Sequence, residues 1–301
     1  MNQPTPQLTQ ESARETTAAA PAHVVVYGNP YKPGLAQVLQ AIAGWASVGG
    51  HRISVEEDIA DVFEQDCSTG VNPFRVFDGD DPGRTLVKTD HPTLLLTLGG
   101  DGTLLHAIHR FWPLQVPVLG VSLGTLSFNA AVTPDRVVQA LEDWLRGRMV
   151  MSQRLVLKIT CRRLGKPIAE AIAVNDVVLG KHETLRMIHL VLRQGEELVS
   201  DFAGDGLIVS TPTGSTAYNL SAGGPIVYPT MRVVVATAIC PHTLAARAVV
   251  LHPEPPLIME YVPQHGAGAV TLAIDGQTQW PIQAEDQVFI EACDTPLLLA
   301  V

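Results

Sequence analysis

The sequence predicts a parallel α/β domain at residues 23–149 followed by an all-β sandwich domain at 150–301, and three observations carry that expectation. Up to about Gly147, short apolar or β-branched runs alternate with stretches whose apolar residues recur at helical spacing, the pattern of strands covered by helices. Beyond Met151 the period drops to two, as in sheets with one buried face. The 301 residues, 46% hydrophobic and 17% charged, suffice for two substantial cores.

Taken in order, residues 1–22 are rich in Thr, Gln, Pro and Ala and carry no basic stretch followed by an apolar one, so a disordered tail without a leader is expected. Val24 to Tyr27 reads as a strand ended by Gly28-Asn29-Pro30. Leu35, Val38, Leu39 and Ile42 then mark a helix that runs to Gly49-Gly50. His51 to Pro92 holds one possible strand, Arg52 to Val55, within acidic, turn-rich sequence such as Asp78-Gly79-Asp80-Asp81-Pro82-Gly83, and is expected to be exposed. Thr93 to Leu98 is continuously apolar, as a strand buried on both faces should be, and Val116 to Val121 repeats that character. Thr133-Pro134-Asp135 opens a helix with Val137, Val138, Leu141, Trp144 and Leu145 on one face and Gly147 as its stop.

In the second half, Leu155, Leu157, Ile159 and Cys161 alternate with Arg154, Val156, Lys158 and Thr160. The same rhythm recurs at Arg186 to Arg193, Leu207 to Ser210, Val233 to Ala236, Val270 to Ile274 and Val288 to Ala292. Leu164-Gly165-Lys166-Pro167 and Gln194-Gly195-Glu196 supply turns. A sandwich or closed sheet stack follows. No internal repeat is evident.

Chemistry concentrates first at Gly99-Gly100-Asp101-Gly102-Thr103, between the apolar strand and a helical stretch, Leu104 to Phe111. Glycines bring backbone N–H groups close to an anion, and a helix start adds unpaired donors and partial positive charge, so Gly99, Gly100, Gly102 and Thr103 are candidate phosphate ligands. A carboxylate here repels phosphate unless a divalent cation lies between them, or unless Asp101 takes a proton from an attacking hydroxyl. Both alternatives point to phosphoryl transfer. The plainer reading is a βα turn whose Asp caps the helix. Against it, this pentapeptide should arise by chance in roughly one chain in a thousand or fewer.

The second concentration is Asp205 to Ile226, where a strand enters a hydroxyl-dense turn, a short helix and another glycine pair. Ser and Thr can simply cap that helix. Five of them in the seven residues from Ser210 to Thr216 nevertheless exceed what one helix end can use, which suits a ligand bearing ribose hydroxyls and amides.

A formal net charge of −10 disfavours a nucleic-acid surface. No apolar run approaches the ~20 residues of a membrane span, so no membrane association is expected. Cys67, Cys161, Cys240 and Cys293 are widely separated, which suggests neither zinc nor disulfides and fits a reducing cytoplasm. The histidines lack ligand spacing. Cys240 and His242, read as i and i+2 on a strand around Pro241, lack a third orienting residue and are not expected to be catalytic.

Gly99 to Thr103 resembles the GGDGT signature of NAD kinases and, more distantly, of lipid kinases such as diacylglycerol and sphingosine kinases. The run from Asp205 to Ile226 is similar to the long second signature of NAD kinases, a form that lipid kinases do not carry. Val174-Asn175-Asp176, Arg186-Met187-Ile188, Cys240-Pro241-His242-Thr243-Leu244 and Asp275-Gly276-Gln277 follow in family order, so the resemblance covers roughly residues 23 to 292. It implies a Rossmann-like α/β domain, a β-sandwich, and NAD between them.

By position the resemblance makes Asp101 the catalytic carboxylate for the adenosine-ribose 2′-hydroxyl, with Gly102 admitting the dinucleotide. His106, one turn on, faces the same cleft or is simply exposed on its helix. Asn175 and Asp176 match a usual Asn-Glu pair, Asp176 being one methylene shorter. Arg186, Asp205, Thr216, Ala217, Tyr218, Asn219 and Ser221 line the NAD site, Tyr218 by stacking and Asp205 as an anionic anchor. Gln277 joins them from a hairpin turn, and that turn alone accounts for Asp275-Gly276. The implied reaction uses ATP with Mg²⁺ carried on the nucleotide rather than in a direct protein site, and the implied assembly is a homodimer or homotetramer.

Three departures from the family pattern stand out. Ser127 replaces a glycine in Ser122 to Asn129, the chain lacks the C-terminal stretch that many members pack back onto the first domain, and Ala203 replaces an Arg two residues before Asp205. The last extends the expectation to NADH as acceptor. A lipid kinase is the alternative enzyme, and no basic amphipathic segment supports it. A non-catalytic NAD sensor is the alternative of another class, and the intact Asp101 speaks against it.

Overall fold

The computed structural model describes residues 21–66, 73–77, 93–113, 116–124, 128–130, 132–182, 186–243, 246–263 and 269–301. Of the expected tail, residues 1–20 lie outside these. Ala22 belongs to the fold: it is buried, its N–H donates to His51 Nδ1 (3.0 Å) and its carbonyl accepts from Arg52 N–H (2.8 Å). The acidic turn at 78–83 is also outside the described residues.

Along the first half run β1 (His23–Gly28), α1 (Leu35–Gly49), β2 (Arg52–Val55), α2 (Glu57–Asp66), β3 (Arg75–Val76), β4 (Thr93–Gly99), α3 (Asp101–Phe111), β5 (Val118–Ser122) and α4 (Val137–Leu145). The apolar run of β4 is explained by cover on both faces. Leu94, Leu96 and Leu98 pack with α1, α2 and α4 in one core, while Leu95 packs with Leu104, Ile108 and Phe111 of α3 in another.

The second half continues with β6 (Met151–Arg154), β7 (Leu157–Arg163), β8 (Lys166–Ala173), β9 (Asp176–Lys181), β10 (Ile188–Gln194), β11 (Glu197–Gly204) and β12 (Gly206–Ser210). After the short α5 (Tyr218–Ser221) come β13 (Val234–Ile239), β14 (Val249–Leu251), β15 (Leu257–Val262), β16 (Val270–Ile274), β17 (Thr278–Ile282), β18 (Asp286–Ala292) and β19 (Leu297–Ala300). Two antiparallel sheets, ordered β11-β10-β15-β18-β7-β8 and β14-β13-β12-β9-β16-β17, form the sandwich. Its core takes alternate residues from both, among them Leu157, Ile159 and Cys161 from one sheet and Leu179, Leu207 and Leu272 from the other.

The first sheet reads β3-β2-β1-β4-β5-β19-β6, parallel except where β6 meets β19. The chain's last strand thus returns to the first domain, which corrects the expectation that no C-terminal stretch packs back there. The switch in period at Met151 marks the start of β6, which still pairs in the first sheet, so residues 151–154 and 297–300 lie with the α/β sheet although both fall within 150–301. Val156, expected on the outward face of a sandwich strand, is fully buried in the same core as α3 and Leu297. Leu299, 1% exposed, occupies that core from β19. Leu299→Ala should therefore cost about 2–5 kcal/mol and lower the urea midpoint of the first domain. An unchanged midpoint would mean that β19 adds nothing to that sheet.

Candidate active site

The order β2-β1-β4-β5 reverses direction between β1 and β4, and in an open parallel sheet the crevice outside the carboxyl ends at that point accepts ligands. Gly28-Asn29-Pro30 leaves one strand there and Gly99 to Thr103 leaves the other, with Asn29 N–H donating to Leu98 O (3.1 Å). A cavity of about 380 Å³ opens between them, lined among others by Tyr27, Asn29, Glu56, Gly102, Thr103 and His106.

The turn itself is tight because Gly99 is bare: an added Cβ would lie 2.2 Å from Thr103 Oγ1. Gly100 and Gly102 face open space. Asp101, the first residue of α3, is half-buried, and its Oδ1 and Oδ2 accept from Asn129 N–H (3.0 Å) and Phe128 N–H (3.2 Å). Leu123 N–H also donates to Gly99 O (2.7 Å), so the segment after β5 folds against the turn and orients the carboxylate. Ser127 lies outside the described residues. His106 stacks beside Tyr27, with ring centroids 5.7 Å apart, and hydrogen-bonds its hydroxyl. It is exposed and also lines the cavity. Partial burial, then the charges of Arg110 and His109, hold its pKa below the ordinary histidine value, which favours the neutral ring.

Two turns along α3, about 12 Å from Asp101 by helical rise, His109 Nε2 meets Asp275 Oδ2 (2.7 Å). The buried Asp275 carboxylate also accepts from the N–H groups of Val174 (2.8 Å), Asn175 (2.7 Å) and Asp176 (2.9 Å). In sequence the hairpin turn alone accounts for Asp275, and there it does adopt a left-handed φ of 49°. The structure adds a second task, the joining of α3 to the segment that carries Asn175. Asn175 Oδ1 is buried with no hydrogen-bond partner among the described residues. Gly214 packs on that segment so closely that a Cβ would lie 2.1 Å from Asn175 O. Asp176 points into the fold and is only 6% exposed.

Most hydroxyls of the dense turn are used by the protein itself. Thr211 Oγ1 donates to Val174 O (2.6 Å), Ser210 Oγ to Thr211 O (2.9 Å) and Ser215 Oγ to Pro212 O (2.7 Å). Asn219, fully buried, donates to Ser215 O and Pro225 O and accepts from Thr237 Oγ1 (2.7 Å). It therefore fixes the turn from within. Thr216 and Ala217 are half-buried, and Tyr218 and Ser221 are exposed.

Tyr218 and Asp205 share a second cavity, about 350 Å³, on the outer face of the β12-β9-β16 sheet, where Val178, Thr271 and Ala273 point away from the sandwich core. Lys181 Nζ lies 2.7 Å from Asp205 Oδ1, and Lys181, His182 and Gln279 complete the polar lining. No local sequence signal marks these three: Gln279 shares a face with Ala273 through the β16–β17 register, while Lys181 and His182 reach the cavity from the end of β9. Arg186 is exposed before β10, Gln277 is exposed in the β16–β17 turn, and Ala203 faces His189 across β11 and β10. Cys240 and His242 lie beyond the end of β13 rather than on it. Cys240 has φ 45°, and His242 N–H donates to Ala203 O (2.8 Å).

Residues 24–149 match the ATP-NAD kinase N-terminal domain and residues 174–300 match the ATP-NAD kinase C-terminal domain. The chain belongs to the ATP-NAD kinase family. It is 34% identical over 282 residues to an NAD kinase of Thiobacillus denitrificans, covering 93% of this chain and 91% of that one. It is 41% identical over 195 residues to an NAD kinase of Symbiobacterium thermophilum, covering 65% and 68%. The solved structure of yeast NADH kinase complexed with NADH superposes with a TM-score of 0.81 at 25% identity, covering 93% of this chain and 83% of that one. An NAD kinase from Archaeoglobus fulgidus in complex with ATP shares the fold, with a TM-score of 0.67 at 18% identity over 93% of both chains.

Burial, reinforced by Asp275, pushes the carboxyl of this kinase's Asp176 from its ordinary 3.8 up to about 7. Folding thus favours the protonated form: its stabilising contribution is whole below about pH 4 and is lost as pH rises through about 7. Asp176→Asn stays neutral, so its stability should fall less than wild type's across that window in urea unfolding. Identical profiles would assign the titration to another group.

Proposed function

We propose that the protein transfers the terminal phosphoryl of ATP to the 2′-hydroxyl of the adenosine ribose of NAD, giving NADP, and that Asp101 acts on that hydroxyl. The observation that carries this reading is the Asp101 carboxylate, fixed by two backbone N–H groups at a helix N-terminus beside an open glycine turn. In the transfer, the ribose oxygen forms a bond to the terminal phosphorus, the bond from that phosphorus to the ADP oxygen breaks, and the ribose proton passes to Asp101. The Gly100 and Gly102 backbones have open space in which to meet phosphate oxygens. Tyr218 offers a ring for stacking and the Lys181–Asp205 pair a polar anchor.

A Mg²⁺ ion fits this site as a passenger on ATP, because the glycine turn leaves open space for phosphates that would carry the ion together with water. No group of three or more His, Cys, Asp or Glu among the described residues could cage it. When bound, the ion neutralises charge on the transferring phosphoryl group. We further place the enzyme in the cytoplasm as a homodimer or homotetramer. The free thiols of Cys161, Cys240 and Cys293 agree with a reducing compartment, and the short edge strand β14 offers a face for pairing.

The direct assay mixes purified protein, Mg-ATP and NAD and scores NADP. Asp101→Asn should lower kcat at least about a hundredfold while the KM for NAD changes much less. Turnover within a few-fold of wild type would remove Asp101 from the chemistry.

Acceptor choice follows from Ala203. Lys181 already orders Asp205, so an Arg at 203 would add bulk rather than order. With Ala203 the non-planar reduced ring is accommodated, a reading in keeping with the likeness to yeast NADH kinase. NADH should be phosphorylated with kcat/KM within about tenfold of NAD, a difference below ~1.4 kcal/mol. Ala203→Arg should widen that ratio. A wild-type preference above about a hundredfold, or an unchanged ratio in the variant, would refute the assignment.

A further inference from the structure

The chain passes between its two domains twice, at Leu155–Val156 on the way out and at 293–296 on the way back, and Cys293 N–H donates to Val156 O (2.8 Å) where the passes meet. Beside them lies a cavity of about 190 Å³, apart from both cavities of the candidate active site, walled among others by Gln153, Arg154, Arg232, Cys293 and Asp294.

Arg154 is 7% exposed. Its Nε donates to Ser152 Oγ (2.9 Å), and among the described residues no carboxylate pairs with its guanidinium. Burial draws the Arg154 pKa down, with Tyr228 acting weakly the other way. Asp294, in the same wall, acts instead on the Cys293 thiol, which burial and this neighbour push up. Arg232 stands across the cavity, half-exposed and paired with Glu254. A buried guanidinium without an anion is costly, and an oxyanion bridging it to a second Arg supplies what the fold leaves out.

We propose that this cavity binds a small phosphate-class oxyanion between Arg154 and Arg232. Its volume is below the ~300–1,000 Å³ of ordinary small-molecule sites, so one phosphoryl group and its waters fit while a nucleotide does not. Planar guanidinium forks suit a tetrahedral oxyanion better than a halide. The bound ion would join β6 of the first sheet to the segment that leads into β13 of the sandwich, tying the domains at their connections.

Cys293 reports on this cavity without any substitution. Alkylation of the full chain in alkaline buffer, followed at the Cys293 peptide by mass spectrometry, should slow at least about fivefold in inorganic phosphate relative to sodium chloride of equal ionic strength, since a bound anion blocks the thiol and disfavours its thiolate. Protection should drop below about twofold in Arg154→Met and in Arg232→Gln; the latter changes a half-exposed residue and keeps the test available if the former does not fold. Glycerol phosphate distinguishes the source: equal protection points to a phosphate ester, and weaker protection to the free ion, either within the proposed class. Absence of phosphate protection in wild type, or full protection in both variants, would overturn the proposal. The readout does not use kinase activity, so its failure leaves the proposed function standing.

Discussion

A carboxylate taken out of water must recover its hydration from fixed donors, and Asp275 does so with three backbone N–H groups and His109. These donors come from two domains. His109 rides on α3, whose first residue is Asp101, while Val174 to Asp176 open β9 of the sandwich. The carboxylate therefore sets the distance between the glycine turn at Gly99 to Thr103 and the segment that carries Asn175. Removing it would strand several buried donors at once, each costing about 1–3 kcal/mol.

The same helix is held along its length by apolar packing. Leu104, Ile108 and Phe111 share one core with Leu95, Val118 and Leu297 of the first sheet and with Val156 and Val174. Because β19 follows the sandwich strands in sequence yet pairs in the first sheet, the domains are interleaved in sequence, and α3 lies at the seam. Such a seam suits phosphoryl transfer, in which positioning supplies most of the catalysis. The Arg232 and Arg154 side chains lie at the other place where the domains connect, which makes both junctions polar and charged at their edges.

Much of this was legible in the residues. The turn at Gly99 to Thr103 could be read because its requirements are local: a bare backbone, a helix start and one carboxylate within five residues. The apolar run at Thr93 to Leu98 could be read because cover on both faces removes alternation. Asp275 and Asn219 were harder. Aspartate beside glycine is what a hairpin turn demands, and nothing local says that the carboxylate also reaches Val174, about a hundred residues away in sequence. The hydroxyls from Ser210 to Ser215 look the same whether they serve a ligand or a neighbouring carbonyl, and the structure shows carbonyls for most of them. Strands β8 and β11 leave little trace in the sequence because each is an outer strand of its sheet, largely exposed or half-exposed, so alternation is weak.

By itself the sequence determined the two kinds of domain, the place of the glycine turn and the identity of its carboxylate, since periodicity and turn chemistry act over a few residues. Tertiary structure alone decided that the last strand returns to the first sheet, that Asp176 and Asn219 face inward, and that Lys181, His182 and Gln279 gather beside Asp205. Those outcomes depend on strand order and register across long stretches of chain, and a pairing between residues so far apart is set by the burial of whole faces rather than by any local preference.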